Sequence, residues 1–158
     1  KYITMKDIKI KVAIVGNGPY FHLFQRLVND LNLKSNIELL GFRKDLPDLL
    51  NTSRFFYICS KTEGLPTALM EAMSCGVVPL VSNVGNMPSI VKDNVNGFIV
   101  RKLNIESVSE IIIKLLSIQD EYKVLSKEAR KIIVEEHSYS WASEAWFRIL
   151  KGISQSNG

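Results

Sequence analysis

Short β-type apolar runs alternate with helical stretches along this chain, and that alternation limits the possible folds more than any other feature. Residues 11–15 (KVAIV) read as a buried strand, which Gly16-Asn17-Gly18-Pro19 then interrupts. Residues 20–33 follow with Phe21, Phe24, Leu27, Val28 and Leu31 at helical spacing. Residues 37–40 form a second strand closed by Gly41, Leu46–Asn51 a short helix, and 54–60 a third strand rich in aromatic and β-branched residues. Residues 66–75 read as a short helix, with Pro at its first turn and Gly76 past its end. Val78–Ser82 and 97–101 are the fourth and fifth strands; Ile105–Ser117, Asp120–Glu136 and 139–153 are three helices, and 154–158 a frayed tail.

Strands that alternate with helices predict a Rossmann-like α/β fold, a three-layer αβα arrangement around a mainly parallel sheet. Such sheets bind ligands beyond the carboxyl ends of their strands. The loops at 16–19, 41–44, 60–66 and 82–88 fall at that edge and hold most of the chemically interesting residues. The chain has 158 residues, 46% of them hydrophobic and 23% charged, which suits one globular domain. Its net charge of +4 comes from scattered Lys and Arg, so no nucleic-acid partner is expected. No apolar run approaches the roughly 18 residues of a membrane span, and no signal-peptide core is present. Cys59 and Cys75 lack metal spacing and read as reduced structural thiols; His22 and His137 stand too far apart to suggest a metal pair. Trp141, Trp146 and Phe147 read as a core stripe or, where the segment that covers them lies outside these residues, as a partly exposed face, and Arg54 as a residue preceding a strand.

The most informative segment is 60–82, SKTEGLPTALMEAMSCGVVPLVS. Its helix starts at Pro66 or Thr67, so the free first-turn amides of Thr67 and Ala68 face the preceding loop. Free amides and the helix dipole favour an anion there. Glu71 lies about 6 Å further along the axis, and a carboxylate can hold a cis-diol with two hydrogen bonds. Glu63 sits in the loop, where a sugar ring could meet it. Ala68, Leu69, Ala72 and Met73 form the face expected on the sheet, with Thr67, Met70 and Glu71 turned elsewhere. Each glutamate taken alone also reads as an ordinary solvated charge.

In order, these residues resemble the retaining glycosyltransferases of family 4, the group 1 glycosyltransferases, with the GT-B fold. Glu63 and Glu71 match the family's pair of glutamates, and Ala72-Met73-Ser74-Cys75-Gly76 its small-residue turn. Val15-Gly16-Asn17-Gly18-Pro19 matches the GxGP loop, and 37–42 (IELLGF) the strand before the nucleotide-base loop. Residues 84–91, Asn96-Gly97-Phe98-Ile99-Val100 and Tyr139-Ser140-Trp141 match later landmarks.

The resemblance implies a donor-binding half that holds a nucleotide diphosphate sugar. Glu71 would hold the ribose, and Glu63, Gly64 and Leu65 the transferred sugar. Thr67, Ala68, Gly16 and Gly18 would meet the diphosphate, while Gly41, Phe42 and Arg43 would border the base. The reaction implied is sugar transfer to a hydroxyl acceptor with retention, in bacterial polysaccharide or lipopolysaccharide synthesis. No catalytic residue is assigned within these residues. No cofactor or obligatory metal is expected, in keeping with the lack of an Asp-x-Asp pair. The partners implied are the donor, an acceptor domain in a longer parent chain, and the inner face of a membrane for an otherwise cytoplasmic enzyme. Residues 1–158 then form a single donor domain, part of a two-domain enzyme and inactive by itself.

The pattern departs from the family in two places. Ser89 stands where an acidic residue is common. Nothing before Lys11 matches the first strand and helix with their Arg and Lys; Lys6, Lys9 and Lys11 read instead as a helix end and strand start. Two other functions remain open: a non-catalytic donor domain used in assembly, and a GT-B-like sugar-nucleotide epimerase.

Overall fold

The computed structural model describes residues 10–156; Lys6 and Lys9 lie outside them. The chain forms two compact units, Lys1–Leu46 and Pro47–Gly158. All the strands pair in parallel, in a two-stranded and a three-stranded sheet. The single sheet expected from the alternation is thus two small ones.

In the first unit, β1 (Val12–Val15) and β2 (Ile37–Gly41) flank α1 (Phe21–Asp30). Parallel neighbours need a crossover, which α1 provides. The pairing runs from Val12 opposite Ile37 to Val15 opposite Gly41, with an irregularity between Ile14 and Val15. Val28 faces inward from α1, whereas Leu23, Phe24, Leu27 and Leu31 are exposed. Val12 and Val15 are 41% and 40% exposed, so β1 is not the buried strand its composition suggested. It has a partner strand on one side only among the described residues.

α2 (Leu46–Asn51) leads into the second unit, where β3 (Phe55–Ile58), β4 (Val78–Ser82) and β5 (Phe98–Val100) are ordered 3-4-5. β4 is central and buried along its whole length. Its side chains alternate between two cores, as a strand's must. Val81 joins Leu69 and Met73 of α3 (Thr67–Ser74) and Ala129 and Ile133 of α6 (Asp120–Glu136). Val78 and Leu80 join Phe98, Val100 and Leu115 of α5 (Ile105–Ser117). Helices therefore cover both faces of this sheet. Full burial of one such aliphatic side chain contributes about 1.5–3 kcal/mol.

Two polar anchors fix the flanks. The Arg54 guanidinium lies 4.6 Å from the centre of the Tyr122 ring and 5.4 Å from that of Phe55, and donates to the Ile118 carbonyl at 3.1 Å. Asn96, nearly fully buried, accepts from Lys92 N–H at 2.7 Å and donates to the Ile90 carbonyl at 2.9 Å.

Three expectations change. A short helix, α4 (Met87–Ile90), occupies part of the loop read at 82–88; at four residues it is too short to show a period. α7 (Tyr139–Ser156) continues into the tail read as frayed. Trp141, Trp146 and Phe147 are not core: they are 47%, 64% and 60% exposed. Helical spacing identifies an apolar face but not whether another element covers it. No helix among the described residues is long and apolar enough to cross a membrane.

Candidate functional site

The second unit brings Glu63, Gly64, Leu65, Thr67, Ala68 and Glu71 together between the end of β3 and the middle of α3. Pro66 is the N-cap, with ψ 128° and no side-chain cap bond. Its carbonyl accepts the N–H groups of Leu69 and Met70. The Thr67 and Ala68 N–H groups have no partner among the described residues, and the first turn carries no acidic side chain. These amides remain available, and the helix dipole adds partial positive charge at this end. Glu71, one turn on, is exposed and has no side-chain partner among the described residues. The helix is buried through Leu69, Ala72 and Met73. Met70, expected to face away, packs partly against the same core, as does the Leu65 side chain. Leu65 can therefore offer a ligand its main chain while its side chain serves packing.

Glu63 is held differently. The Ser60 hydroxyl donates to Glu63 Oε1 at 2.7 Å. The Ser82 hydroxyl, on a residue 1% exposed, donates to the Ser60 carbonyl at 2.7 Å. From the other side, Asn86 N–H donates to the Gly64 carbonyl at 2.9 Å. Gly85 makes that approach possible. It adopts φ +56°, and a Cβ there would lie 2.6 Å from the Gly64 oxygen and closer still to that of Glu63. Ser60, Ser82, Gly85 and Asn86 received no role from the sequence; Ser60 lies three positions from Glu63, whereas the contacts of Ser82, Gly85 and Asn86 to this loop span 21 or more positions. Ser89, where an acidic residue is common, bonds locally to the Asn86 carbonyl at 2.7 Å.

The first unit collects Gly16, Gly18, Gly41, Phe42 and Arg43 at or just beyond the ends of β1 and β2. Gly16 N–H donates to the Gly41 carbonyl at 2.7 Å. With φ +122°, Gly16 turns the chain out of β1 in a conformation that side chains disfavour. Phe42 is well exposed. Arg43 is engaged by Asp45 through two hydrogen bonds, one of them from Nε at 2.7 Å. This pairing holds the Asp45 carboxyl below its ordinary range and raises the Arg43 guanidinium above its own. Lys11 donates to the Ser35 carbonyl at 2.5 Å, a local tie at the start of the strand. His22 meets Gln25 at 3.1 Å on α1. An open groove along α1 and β2, lined by His22, Arg26, Lys34 and Glu38 among others, contains none of the candidate ligand contacts. Cys59 and Cys75 are free and half-buried.

Residues 1–132 match the family model described as glycosyl transferases group 1. An Escherichia coli UDP-Gal:alpha-D-GlcNAc-diphosphoundecaprenol alpha-1,3-galactosyltransferase is 34% identical over 77% of this chain and 32% of its own length. A Staphylococcus aureus poly(ribitol-phosphate) alpha-N-acetylglucosaminyltransferase is 24% identical over 94% of the chain and 30% of its own length. The chain thus spans about a third of these relatives. Among solved structures, Anabaena HepE in complex with UDP matches with a TM-score of 0.83 at 20% identity, over 90% of this chain and 41% of that one. The C-terminal domain of a group 1 family protein from Francisella tularensis matches with a TM-score of 0.72 at 18% identity, over 82% of this chain and 70% of that one. The fold is that of GT-B glycosyltransferases, and with the family model matched over most of its length the chain belongs to the group 1 glycosyl transferases.

Proposed function

We propose that this chain is the donor-binding part of a longer enzyme that moves a sugar from a nucleotide diphosphate sugar to a hydroxyl acceptor with retention. One observation carries the reading. The uncapped Thr67 and Ala68 amides lie one helical turn before a carboxylate, that of Glu71, with no partner among the described residues. The diphosphate sits at the amides and the ribose hydroxyls at Glu71. Glu63 and the main chain of Gly64 and Leu65 hold the transferred sugar. Gly16 and Gly18 pass near the diphosphate, and Gly41, Phe42 and Arg43 border the base; these roles rest on the family resemblance.

During transfer the bond between the anomeric carbon and the diphosphate oxygen breaks. The acceptor oxygen bonds to that carbon and gives up its proton, which the departing diphosphate oxygen or water takes up. Fixed donors at the start of α3 stabilise the negative charge left on the diphosphate without needing to reorganise. The reading assigns no role to a metal or cofactor. UDP is bound in solved complexes of similar fold, which supports a nucleoside diphosphate as the leaving group. The E. coli relative's name specifies a diphosphoundecaprenol acceptor. By that analogy the parent enzyme works at the cytoplasmic face of a membrane in polysaccharide or lipopolysaccharide synthesis, with its acceptor domain outside these residues.

Calorimetry with UDP, GDP and ADP tests the donor site. One nucleotide is expected to bind, and Glu71→Ala to weaken it about 10- to 100-fold, the range for a lost hydrogen bond to a charged group. Because Glu71 is exposed, the variant should keep its fold. If no nucleotide binds, or Glu71→Ala binds as well as the wild type, the reading fails.

A further inference from the structure

We propose that Ser60 is a positioning residue that fixes the Glu63 carboxylate for the donor sugar. The inference rests on the proposed role of Glu63 and adds a residue to it. A carboxylate on a loop can swing about three side-chain torsions, and ordering it upon binding weakens affinity. Ser60 orders it beforehand. The ionised carboxylate only accepts, so the 2.7 Å contact is a bond donated by the hydroxyl to Oε1. An ionised carboxylate can accept about four hydrogen bonds, so capacity remains for sugar hydroxyls.

Ser60 is itself fixed. The β3–β4 pairing ends at Ile58 opposite Val81. One residue beyond Val81, the buried Ser82 side chain bonds to the Ser60 carbonyl at 2.7 Å. A hydroxyl therefore continues the tie between strands where backbone pairing has stopped. On the opposite side, Asn86 N–H holds the Gly64 carbonyl and Gly85 closes against the Glu63 and Gly64 backbone. The chain Ser82 to Ser60 to Glu63 thus runs from the buried central strand to the candidate sugar contact.

The test compares affinity for a nucleoside diphosphate with that for its sugar conjugate: UDP against UDP-glucose, GDP against GDP-mannose, and ADP against ADP-glucose. The pair that binds best is carried forward. Ser60→Ala is expected to weaken the sugar nucleotide roughly three- to tenfold and to leave the bare nucleotide unchanged. Ser60→Thr keeps the hydroxyl and should restore most of the loss. In a Glu63→Ala background, Ser60→Ala should have no further effect. Ser82→Ala should act in the same direction more weakly, which keeps the test informative if Ser60→Ala unfolds.

If Glu63→Ala lowers the sugar's contribution and Ser60→Ala does not, the positioning role is overturned while the reading of Glu63 stands. Equal weakening of both ligands by Ser60→Ala marks a general structural role and also overturns it. A sugar contribution that Glu63→Ala leaves untouched, or an absence of any nucleotide binding, removes the underlying reading and this proposal with it.

Discussion

Replacing Gly85 with alanine tests whether the turn after β4 is built around the Glu63 loop. The residue has φ +56°, a left-handed conformation that costs an L-residue with a Cβ about 1–2 kcal/mol. The added carbon would sit 2.6 Å from the Gly64 oxygen and 2.9 Å from the Glu63 carbonyl carbon, both rigid backbone. The turn must therefore retreat and lose the 2.9 Å bond from Asn86 N–H to Gly64, which contributes about 0.5–1.5 kcal/mol. Alanine's smaller unfolded-state entropy returns about 0.4–1 kcal/mol at a compatible site. The net expectation is a loss of about 0.5–3 kcal/mol, read as a lower midpoint in urea unfolding at an unchanged slope. Gly64→Ala is the matched control. Its Cβ would meet open space at an ordinary φ, so its stability should change by less than about 1 kcal/mol. Coincident midpoints for Gly85→Ala and the wild type would refute the argument, because the turn would then not be pressed against the loop.

Arg54→Ala should cost about 1–2 kcal/mol by thermal unfolding, since it removes the contact with Tyr122 and the bond to the Ile118 carbonyl; an unchanged midpoint counts against that anchor. Asn96→Ala should cost about 2–3 kcal/mol, because the buried Lys92–Asn96 turn loses two bonds and leaves polar groups unmatched. Burial pushes the Cys59 thiol up, partly offset by the nearby Tyr57 hydroxyl, which burial also pushes up. The native state therefore holds the Cys59 proton more tightly than the unfolded chain, where a thiol titrates near about 8.5. That contribution is complete below the unfolded value and is lost as pH rises through the native one. The melting temperature should fall as pH rises above about 8.5, and Cys59→Ala should flatten that slope. An unchanged slope in Cys59→Ala contradicts the assignment.

Local pattern specified most of the second unit. Val78–Ser82, Ile105–Ser117 and Asp120–Glu136 appear with the bounds read from periodicity, because apolar spacing, Asn104 as a capping residue and the Gly76 stop act within a few positions. Partnership was not legible in the same way. The composition of β1 matches a buried strand, yet Val12 and Val15 are exposed because burial depends on what lies beside the strand. The α7 aromatics make the same point: spacing sets a face, while distant segments decide its cover. Pro79 shows the opposite case. Proline is unusual in a central strand because it lacks an N–H, but Pro79 opposite Phe56 is buried within β4, where the apolar run outweighed the propensity of one residue.

The two glutamates divide along the same line. Glu71 was legible because its site is local: the helix start, the proline cap and the four-residue step from Thr67 all lie in one short segment. Glu63 was found as a landmark, and its direct partner Ser60 lies only three positions away, but the groups that fix Ser60 and the loop were not legible, since Ser82 and Asn86 reach back 22 positions and Gly85 21. This difference has a physical consequence. On the proposed reading, Glu71, which is exposed, would lose side-chain freedom on binding a ligand, whereas Glu63 has lost much of that freedom through Ser60 beforehand. Substitutions around Glu71 should therefore act mainly through direct contact. Substitutions in the shell of Glu63 should reach the ligand through geometry, and should discriminate between a nucleotide and its sugar conjugate even where they touch neither.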